Sequence, residues 1–266
     1  MCLVSQSKFG CYLLSKRLLT LKISVVTAVF NRERTIAEAI ESVAAQTYPD
    51  VEHVIQDGES KDGTLAVIAR VAGPEVSLQS ARDTGIYDGI NKGISRTTGD
   101  VVGLMHSDDL FASPHVLARV AEAMADPAVD GVYGDLDYVA EQDTSRIIRK
   151  WRSGSYDPAK LRRGWMPPHP TLYMRREIFD RWGLYDTSFR IAADYDAMLR
   201  YLSKGEIRLA YVPEVFVKMR VGGESNKSVF RILQKSREDY RALKGNGVGG
   251  LGALAMKNLS KIKQFF

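Results

Sequence analysis

Residues 23–64 read ISVVTAVFNRERTIAEAIESVAAQTYPDVEHVIQDGESKDGT, and they set up a rhythm that the next forty residues repeat. KISVVTAVF (22–30) is a β-branched apolar run of strand length, and VEHVIQDG (51–58) is a second. Between them, RTIAEAIESVAAQ puts Ile36, Ala39, Ile40, Val43 and Ala44 on one helical face. A strand, an amphipathic helix and another strand predict a βαβ unit, whose strands run parallel because the crossover packs back on the sheet only one way.

Working outward, DGTLAVIARVA and GIYDGINKGISRT have helical spacing, while EVSLQS (75–80) and DVVGLMHSDD (100–109) read as further strands. The expected fold class is α/β, a Rossmann-like, mixed but mostly parallel central sheet flanked by helices. In such sheets ligands bind at the carboxyl ends of strands. Asn31, Asp57 and the pair Asp108–Asp109 all fall there. Beyond residue 110 the rhythm changes. SPHVLARVAEAMAD (113–126) predicts a helix with Ser113 as N-cap and Pro114 at its first position. GVYGDLDYV, SRIIRKWRS and IRLAYVPEVFVKMRV read as strands, and DYDAMLRYLSKG as a helix ended by Gly205. The expected organisation is a leader over 1–21, a domain over 22–223 and a basic helical tail over 224–266. Within the domain, 22–110 and 111–223 share one sheet.

The chain has 266 residues and a net charge of +5, unevenly spread. Residues 1–22 carry +4 and residues 218–266 carry +8, so the intervening body is −7. An acidic body argues against nucleic acid as a partner. Its two cysteines, Cys2 and Cys11, make neither a disulfide framework nor a zinc pattern, which fits a reducing, cytoplasmic setting. GESKDGT (58–64) has the glycine spacing of a P-loop without its lysine, and GNGVGG (245–250) follows no strand, so neither supports nucleotide chemistry.

Two adjacent aspartates at the end of an apolar strand repel each other, and burial aggravates the repulsion unless a cation offsets it. They are either solvated loop residues or metal ligands. Asp57 can receive an N–H of a base edge or stabilise its own Asp-Gly turn. Asp194 and Asp196 both open a helix, where acids favour the dipole. Tyr87 and Trp165 can stack on a sugar or belong to the core. His53 reads as a plain strand residue, His106 as a core residue within the fourth strand, and His115 as a surface helix residue. His169, fixed between prolines in PPHPT, would face a cleft.

ISVVTAVFNRERTIAEAIESVAAQTYPDVEHVIQDGESKDGT, then DTGIYDGINKGISRTTGDVVGLMHSDD, resembles the nucleotide-sugar half of family 2 inverting glycosyltransferases, which have the GT-A fold. HPTLYMRREIFDRWGLYD and IAADYDAMLRYL resemble the acceptor half, and the likeness covers about residues 22–223. The flavour is that of bacterial enzymes building polysaccharides or glycolipids. The resemblance implies a loop from Ala28 to Asn31 along the nucleobase, Asp57 on its edge, and Asp83 near the nucleotide, with Asn91 and Lys92 as further neighbours. It implies that Asp108 contacts the ribose or supports the metal site, and that Asp109 coordinates Mg²⁺ or Mn²⁺ on the donor diphosphate. Ser107 stands at the first position of the motif, so only two carboxylates are available and the phosphates complete the shell. Asp194 takes the place of the catalytic base, with Ala193 where the family has Glu. KMRVGGES (218–225) resembles a loop closing over donor phosphates, with Arg220 as their ligand or simply as the first tail cation. His169 and Trp165 are acceptor-side candidates.

The implied reaction moves a sugar from a nucleotide-diphosphate donor, UDP by preference, to a hydroxyl of a glycan or lipid-linked acceptor. The alternative is a catalytically impaired nucleotide-sugar-binding accessory protein, to which Ala193 is the motif-level pointer. The tail, with Val229, Ile232, Leu233 and Tyr240 among basic residues, either packs on the body or lies on an anionic membrane surface. The second option implies a peripheral protein on the inner face of the plasma membrane.

Overall fold

The computed structural model describes residues 21–204, 207–221 and 229–262. Most of the expected leader, Gly205 and residues 222–225 of the expected closing loop lie outside them. The first half supplies β1 (Ile23–Val29), β2 (Val51–Asp57), β3 (Val76–Ser80) and β4 (Val101–Leu104), separated by α1 (Ile36–Ala44), α2 (Thr64–Val71) and α3 (Ile86–Arg96). Their order is β3-β2-β1-β4, all parallel. This is the βαβ arrangement expected from residues 23–64.

The second half adds β5 (Leu110–Phe111), α4 (Val116–Ala123), β6 (Gly131–Val139), β7 (Ile147–Trp151), α5 (Pro158–Leu161), β8 (Tyr173–Arg175), α6 (Arg176–Trp182), α7 (Ala193–Lys204) and β9 (Leu209–Arg220). Strand β8 pairs antiparallel with β4 on one side and β6 on the other, which joins the halves into one sheet. Among the described residues that sheet has nine strands in the order β3-β2-β1-β4-β8-β6-β9-β5, with β7 on β6. The pair β6–β9 is parallel, while β5–β9 and β6–β7 are antiparallel. The mixed, mostly parallel α/β reading therefore stands, with the antiparallel pairs in the second half.

Consecutive residues of β1 explain why its sequence is apolar throughout. Val25 and Val26 point to opposite faces, and both are buried, in separate clusters. A sheet covered on both sides requires such runs. Ile36 and Ile40 of α1 bury with Val29, Ile55 and Ile68 in a third cluster. The tail contributes α8 (Val229–Gly245) and α9 (Leu251–Ile262), and Ala242, Leu243, Val248 and Ala253 join the cluster that holds Tyr195 of α7.

Three local boundaries differ from expectation. The fourth strand ends at Leu104 instead of running to Asp109, because the chain turns: the Asp109 amide donates to the His106 carbonyl. His106 is thus outside the strand and half-buried. Helix α4 begins at Val116, not at Pro114, because the Ser113 hydroxyl accepts the His115 amide and the Pro114 carbonyl accepts the Thr47 amide. His115 therefore precedes the helix. Residues Lys218–Arg220 are strand, since they pair in register with Asp137–Val139 of β6.

Candidate active site

A cleft of about 1200 Å³ opens at the carboxyl ends of β1 and β4 and extends to α7, α8 and α9. Ala28, Asp83, Asp108, Asp109, Asp194, His169, Trp165 and Arg220 all line it, so six segments far apart in sequence meet there. Asn31 and Asp57 do not line it.

Asp109 is 2% exposed. Its Oδ1 accepts the Arg220 amide at 3.0 Å, while Oδ2 is buried without a hydrogen-bond partner among the described residues. Burial, reinforced by neighbouring Asp108, pushes its carboxyl well above the usual carboxylate range. An orphaned buried oxygen beside a second carboxylate is what a hard divalent cation needs, since it takes oxygen ligands and restores the charged form. Among the described residues no group of three or more His, Cys, Asp or Glu converges, so phosphate or water oxygens would have to complete such a shell. The two aspartates therefore fit Mg²⁺ or Mn²⁺ better than zinc.

Arg220 ends β9, and its guanidinium is turned to the protein. It donates to Glu38 at 2.6 Å, to the Asp108 carbonyl at 2.6 Å and to the Glu141 carbonyl at 3.0 Å. A buried arginine so engaged braces the Asp108–Asp109 turn, which replaces the picture of a loop cation reaching for phosphate.

On the nucleotide side, Asp57 is fully buried and accepts the Ser60 amide, the Ser60 hydroxyl at 2.5 Å and the Ser80 hydroxyl at 2.6 Å. That is the turn-stabilising role left open above. Asn31 has φ of 51°, a left-handed conformation that asparagine tolerates. Its Oδ1 accepts the Lys61 amide and its own amide donates to Ser60, which ties the two loops together. Asp83 accepts the Gly85 amide, and burial raises its pKa. A Cβ at Gly58 would fall 2.5 Å from Asp83 Oδ2, so glycine is what leaves the carboxylate its place. Asn91 and Lys92, named as further nucleotide neighbours, do not line the cleft. Asn91 exchanges two hydrogen bonds with the backbone of Tyr185, and Lys92 binds the Arg82 carbonyl and Asp88.

On the opposite side, Asp194 lies in the first turn of α7. Its Oδ1 is 3.2 Å from the Tyr87 hydroxyl, which is itself 2.7 Å from the Ile191 carbonyl. Asp196 instead accepts from Asn246 at 2.8 Å and faces Arg200, a structural assignment. The His169 ring meets the Tyr185 hydroxyl at 2.9 Å and lies 5.8 Å from the ring of His106. Burial lowers the His169 pKa to about 4. Trp165 donates to the Ser153 carbonyl and packs between Tyr133 and Tyr156. Its indole is anchored rather than free, yet one side lines the cleft. His53, far from a plain strand residue, is fully buried with Nε2 2.9 Å from Thr27 Oγ1.

Sequence reasoning missed the contribution of the tail. Lys235 and Asp239 of α8 and Met256 and Lys257 of α9 line the cleft. Lys257 Nζ is 2.7 Å from Asp239 Oδ1 and 3.0 Å from the Tyr195 ring centroid. Glu238 accepts the amides of Ile191 and Ala192 at 2.8 and 3.0 Å, capping the start of α7 from outside. The signal was the pair Glu238–Asp239, two acids inside an otherwise basic helix. Phe30, 52% exposed at the mouth of the cleft, also escaped notice.

A mixed sheet whose carboxyl edge gathers these acids at one cleft can be compared with known proteins. A sequence profile described as glycosyl transferase family 2 matches residues 24–191. An uncharacterized glycosyltransferase of Mycobacterium tuberculosis (strain ATCC 25618 / H37Rv) is 31% identical over 186 residues, 67% of this chain and 68% of that protein. A PGL/p-HBAD biosynthesis glycosyltransferase of Mycobacterium bovis (strain BCG / Pasteur 1173P2) is 29% identical over 211 residues, 77% of this chain and 80% of that protein. The structure of S. aureus TarS 1-349 in complex with UDP-GlcNAc aligns with a TM-score of 0.67 at 18% identity, covering 86% of this chain and 66% of that one. This chain spans 65% of TarS 1-349 in a second crystal structure. The mannosyltransferase PcManGT from Pyrobaculum calidifontis, in complex with GDP-Man and Mn²⁺, aligns at 0.60 with 18% identity, covering 91% and 74%. The chain belongs to glycosyl transferase family 2 and is a glycosyltransferase of GT-A fold.

Proposed function

We propose that this glycosyltransferase moves a sugar from a nucleoside-diphosphate donor, with UDP the preferred carrier, to a hydroxyl of a lipid-linked or polysaccharide acceptor, inverting the anomeric centre by direct displacement. The observation that carries this reading is one cleft with the unpartnered, buried Asp109 Oδ2 on one side and Asp194 on the other. Asp109, supported by Asp108, would hold Mg²⁺ or Mn²⁺ with the donor phosphates, and the cation would stabilise the charge of the departing diphosphate. Asp194 takes the proton of the acceptor hydroxyl as its oxygen bonds the anomeric carbon. The bond from that carbon to the diphosphate oxygen breaks, and its electron pair leaves with the diphosphate. Tyr87, bridging Asp194 and the Ile191 carbonyl, orients the carboxylate. Ala28, Asn31, Asp57 and Asp83 shape the nucleotide side, the middle two through the loops they tie.

Ala193, which favoured a non-catalytic accessory protein, loses that weight because Glu238 places a carboxylate at the same helix start. The test is a donor-hydrolysis and transfer panel across nucleotide sugars, with Mn²⁺ or chelator. Asp109→Asn brings donor hydrolysis down to the chelator-treated level. Asp194→Asn keeps UDP binding and lowers transfer about 10²–10⁴-fold, the usual share of a general base. Hydrolysis indifferent to chelator and to Asp109→Asn, or near-normal transfer by Asp194→Asn, refutes the assignment.

The same reading includes peripheral association with an anionic membrane, on the cytoplasmic side. Among the described residues no helix is long and apolar enough to cross a membrane. Leu251 and Leu259 of α9 are 72% and 61% exposed, on a helix of positive charge, which supports surface binding. Leu251→Ser with Leu259→Ser reduces co-sedimentation with phosphatidylglycerol vesicles; unchanged pelleting refutes it.

A further inference from the structure

We propose that the end of the cleft beside Asp194 is an anion subsite, and that the acceptor carries a phosphate group recognised there by Arg163, Arg190 and Lys235. This deepens the transfer reading and rests on it.

Three segments bring these cations together. Arg190 directly precedes Ile191, whose backbone meets both Tyr87 and Glu238 at the start of α7. Lys235 lies one turn before Asp239 on α8, and both line the cleft. Arg163 adjoins Gly164, which has φ of 76° and where a Cβ would fall 2.3 Å from Lys257 Cβ. The chain from α5 thus lies directly against α9, and Lys257 reaches from that contact to Asp239 and Tyr195. Arg163, Arg190 and Lys235 all line the cleft. Their side chains make no ion pair or hydrogen bond among the described residues. Asp239, one turn along α8 from Lys235, is already paired with Lys257.

Other cations of the cleft are spent differently. Arg220 is bonded to Glu38, and Arg152 to Asp135 and Asp137. The arginine beside Asp109 is thus committed to the protein, and Arg32 on the β1 loop donates to the Asn31 carbonyl, while Arg163, Arg190 and Lys235 have no such partner among the described residues. Cations clustered at one end of a cleft raise the local concentration of an anion there. Arginine binds phosphate through two parallel N–H groups, which fixes orientation as well as position. A phosphate held there would present a neighbouring hydroxyl of the same molecule to Asp194. Met256, 47% exposed on the same wall, offers apolar surface for a chain attached to that phosphate.

The test is calorimetric titration of the full chain with octyl phosphate, with inorganic phosphate and with UDP plus Mn²⁺. Wild type binds octyl phosphate with UDP already bound. Arg163→Ala/Lys235→Ala weakens octyl phosphate at least about tenfold, as expected from losing charge-assisted hydrogen bonds of about 1.5–3 kcal/mol each. Arg190→Gln weakens it as well, UDP affinity stays within about twofold by the same conversion, and exposed Lys150→Ala on β7 changes neither. Tighter binding of octyl phosphate than of inorganic phosphate assigns a lipid phosphate, and equal binding a phosphorylated glycan. Unchanged octyl phosphate affinity in the variants overturns the subsite. So does its displacement by UDP, or a parallel fall in UDP affinity, since the cations would then serve the donor. A wild-type protein that ignores UDP but binds octyl phosphate through these residues keeps the subsite and overturns the donor reading.

Discussion

His53 and Asp109 carry the same physical problem with different outcomes. Both are buried polar groups with one atom unpartnered among the described residues, Nδ1 in His53 and Oδ2 in Asp109. Asp109 opens on a cleft where a cation can meet it. His53 does not. The Thr27 hydroxyl donates to the Met105 carbonyl, so it accepts from His53 Nε2, and the lone pair of Nδ1 faces the interior. Burial lowers the pKa of His53 to about 3 and of His169 to about 4. The unfolded chain takes up these protons below about 6.5 and the folded chain does not. Stability is therefore whole above pH 6.5 and falls as the pH drops towards 4. Glu52, held to about 2 chiefly by hydrogen bonds from Lys22, Ser24 and Thr98 that overcome its burial, adds loss of the same sign only below about 4.5. We expect the urea midpoint to fall between pH 7 and pH 4.5. In His53→Leu that pH-dependent loss shrinks by roughly 2–3 kcal/mol, two pKa units at 1.36 kcal/mol each. An equal loss in the variant would show that His53 is not its source.

Helix α7 is positioned from outside its own sequence. Its first turn carries Asp194, and the amides before it are received by Glu238 of α8, with Gln234 donating to the other Glu238 oxygen. Asn246 fixes Asp196 in the same first turn. A cap supplied by a different helix holds angle as well as end, so it sets where Asp194 points. Glu238→Ala should cost roughly 0.5–2 kcal/mol of stability, as for loss of an N-cap. It should also lower kcat for transfer while UDP affinity is kept. Glu238→Gln, whose amide oxygen can still accept, should recover most of both. A Gln variant no better than Ala, or UDP affinity falling with kcat, would refute the positioning role.

The C-terminal helices close the protein around its own cleft. Lys257 and Asp239 are each almost fully buried, and Lys257 also sits on the Tyr195 ring next to Asp194. Removing one partner strands a buried charge, which typically costs about 3–5 kcal/mol, whereas replacing both with apolar groups is often neutral. Lys257→Met should therefore lower the melting temperature sharply, and Lys257→Met/Asp239→Leu should restore most of it. Additive losses in the double variant would mean that the pair is not coupled. The same packing makes truncation before α8 unsuitable as a membrane test, because it deletes Ala242, Leu243 and Val248 from the core.

The parallel half of the sheet was readable because its information is local. Strand and helix periods at 23–109 follow from residues that bury within the same βαβ units, and the acids at the strand ends lie where such sheets bind ligands. Boundaries slipped where a tertiary hydrogen bond took over, as at Pro114 with Thr47, or where a local turn broke the apolar run, as at Asp109 with His106. The site was legible as a set of acids but not as an assembly. Nothing near Arg220 in sequence shows that Glu38 takes up its charge, and nothing near Asp57 shows that the Ser80 hydroxyl donates to its carboxylate. The tail was the largest difference, since a basic amphipathic helix reads alike whether its apolar face meets lipid or protein. The chain by itself determined the fold and the acidic motifs, because periodicity and strand ends are short-range properties. The meeting of α8 and α9 with α7 was decided by packing, because burial of Lys257, Asp239 and Glu238 depends on partners up to about sixty residues away.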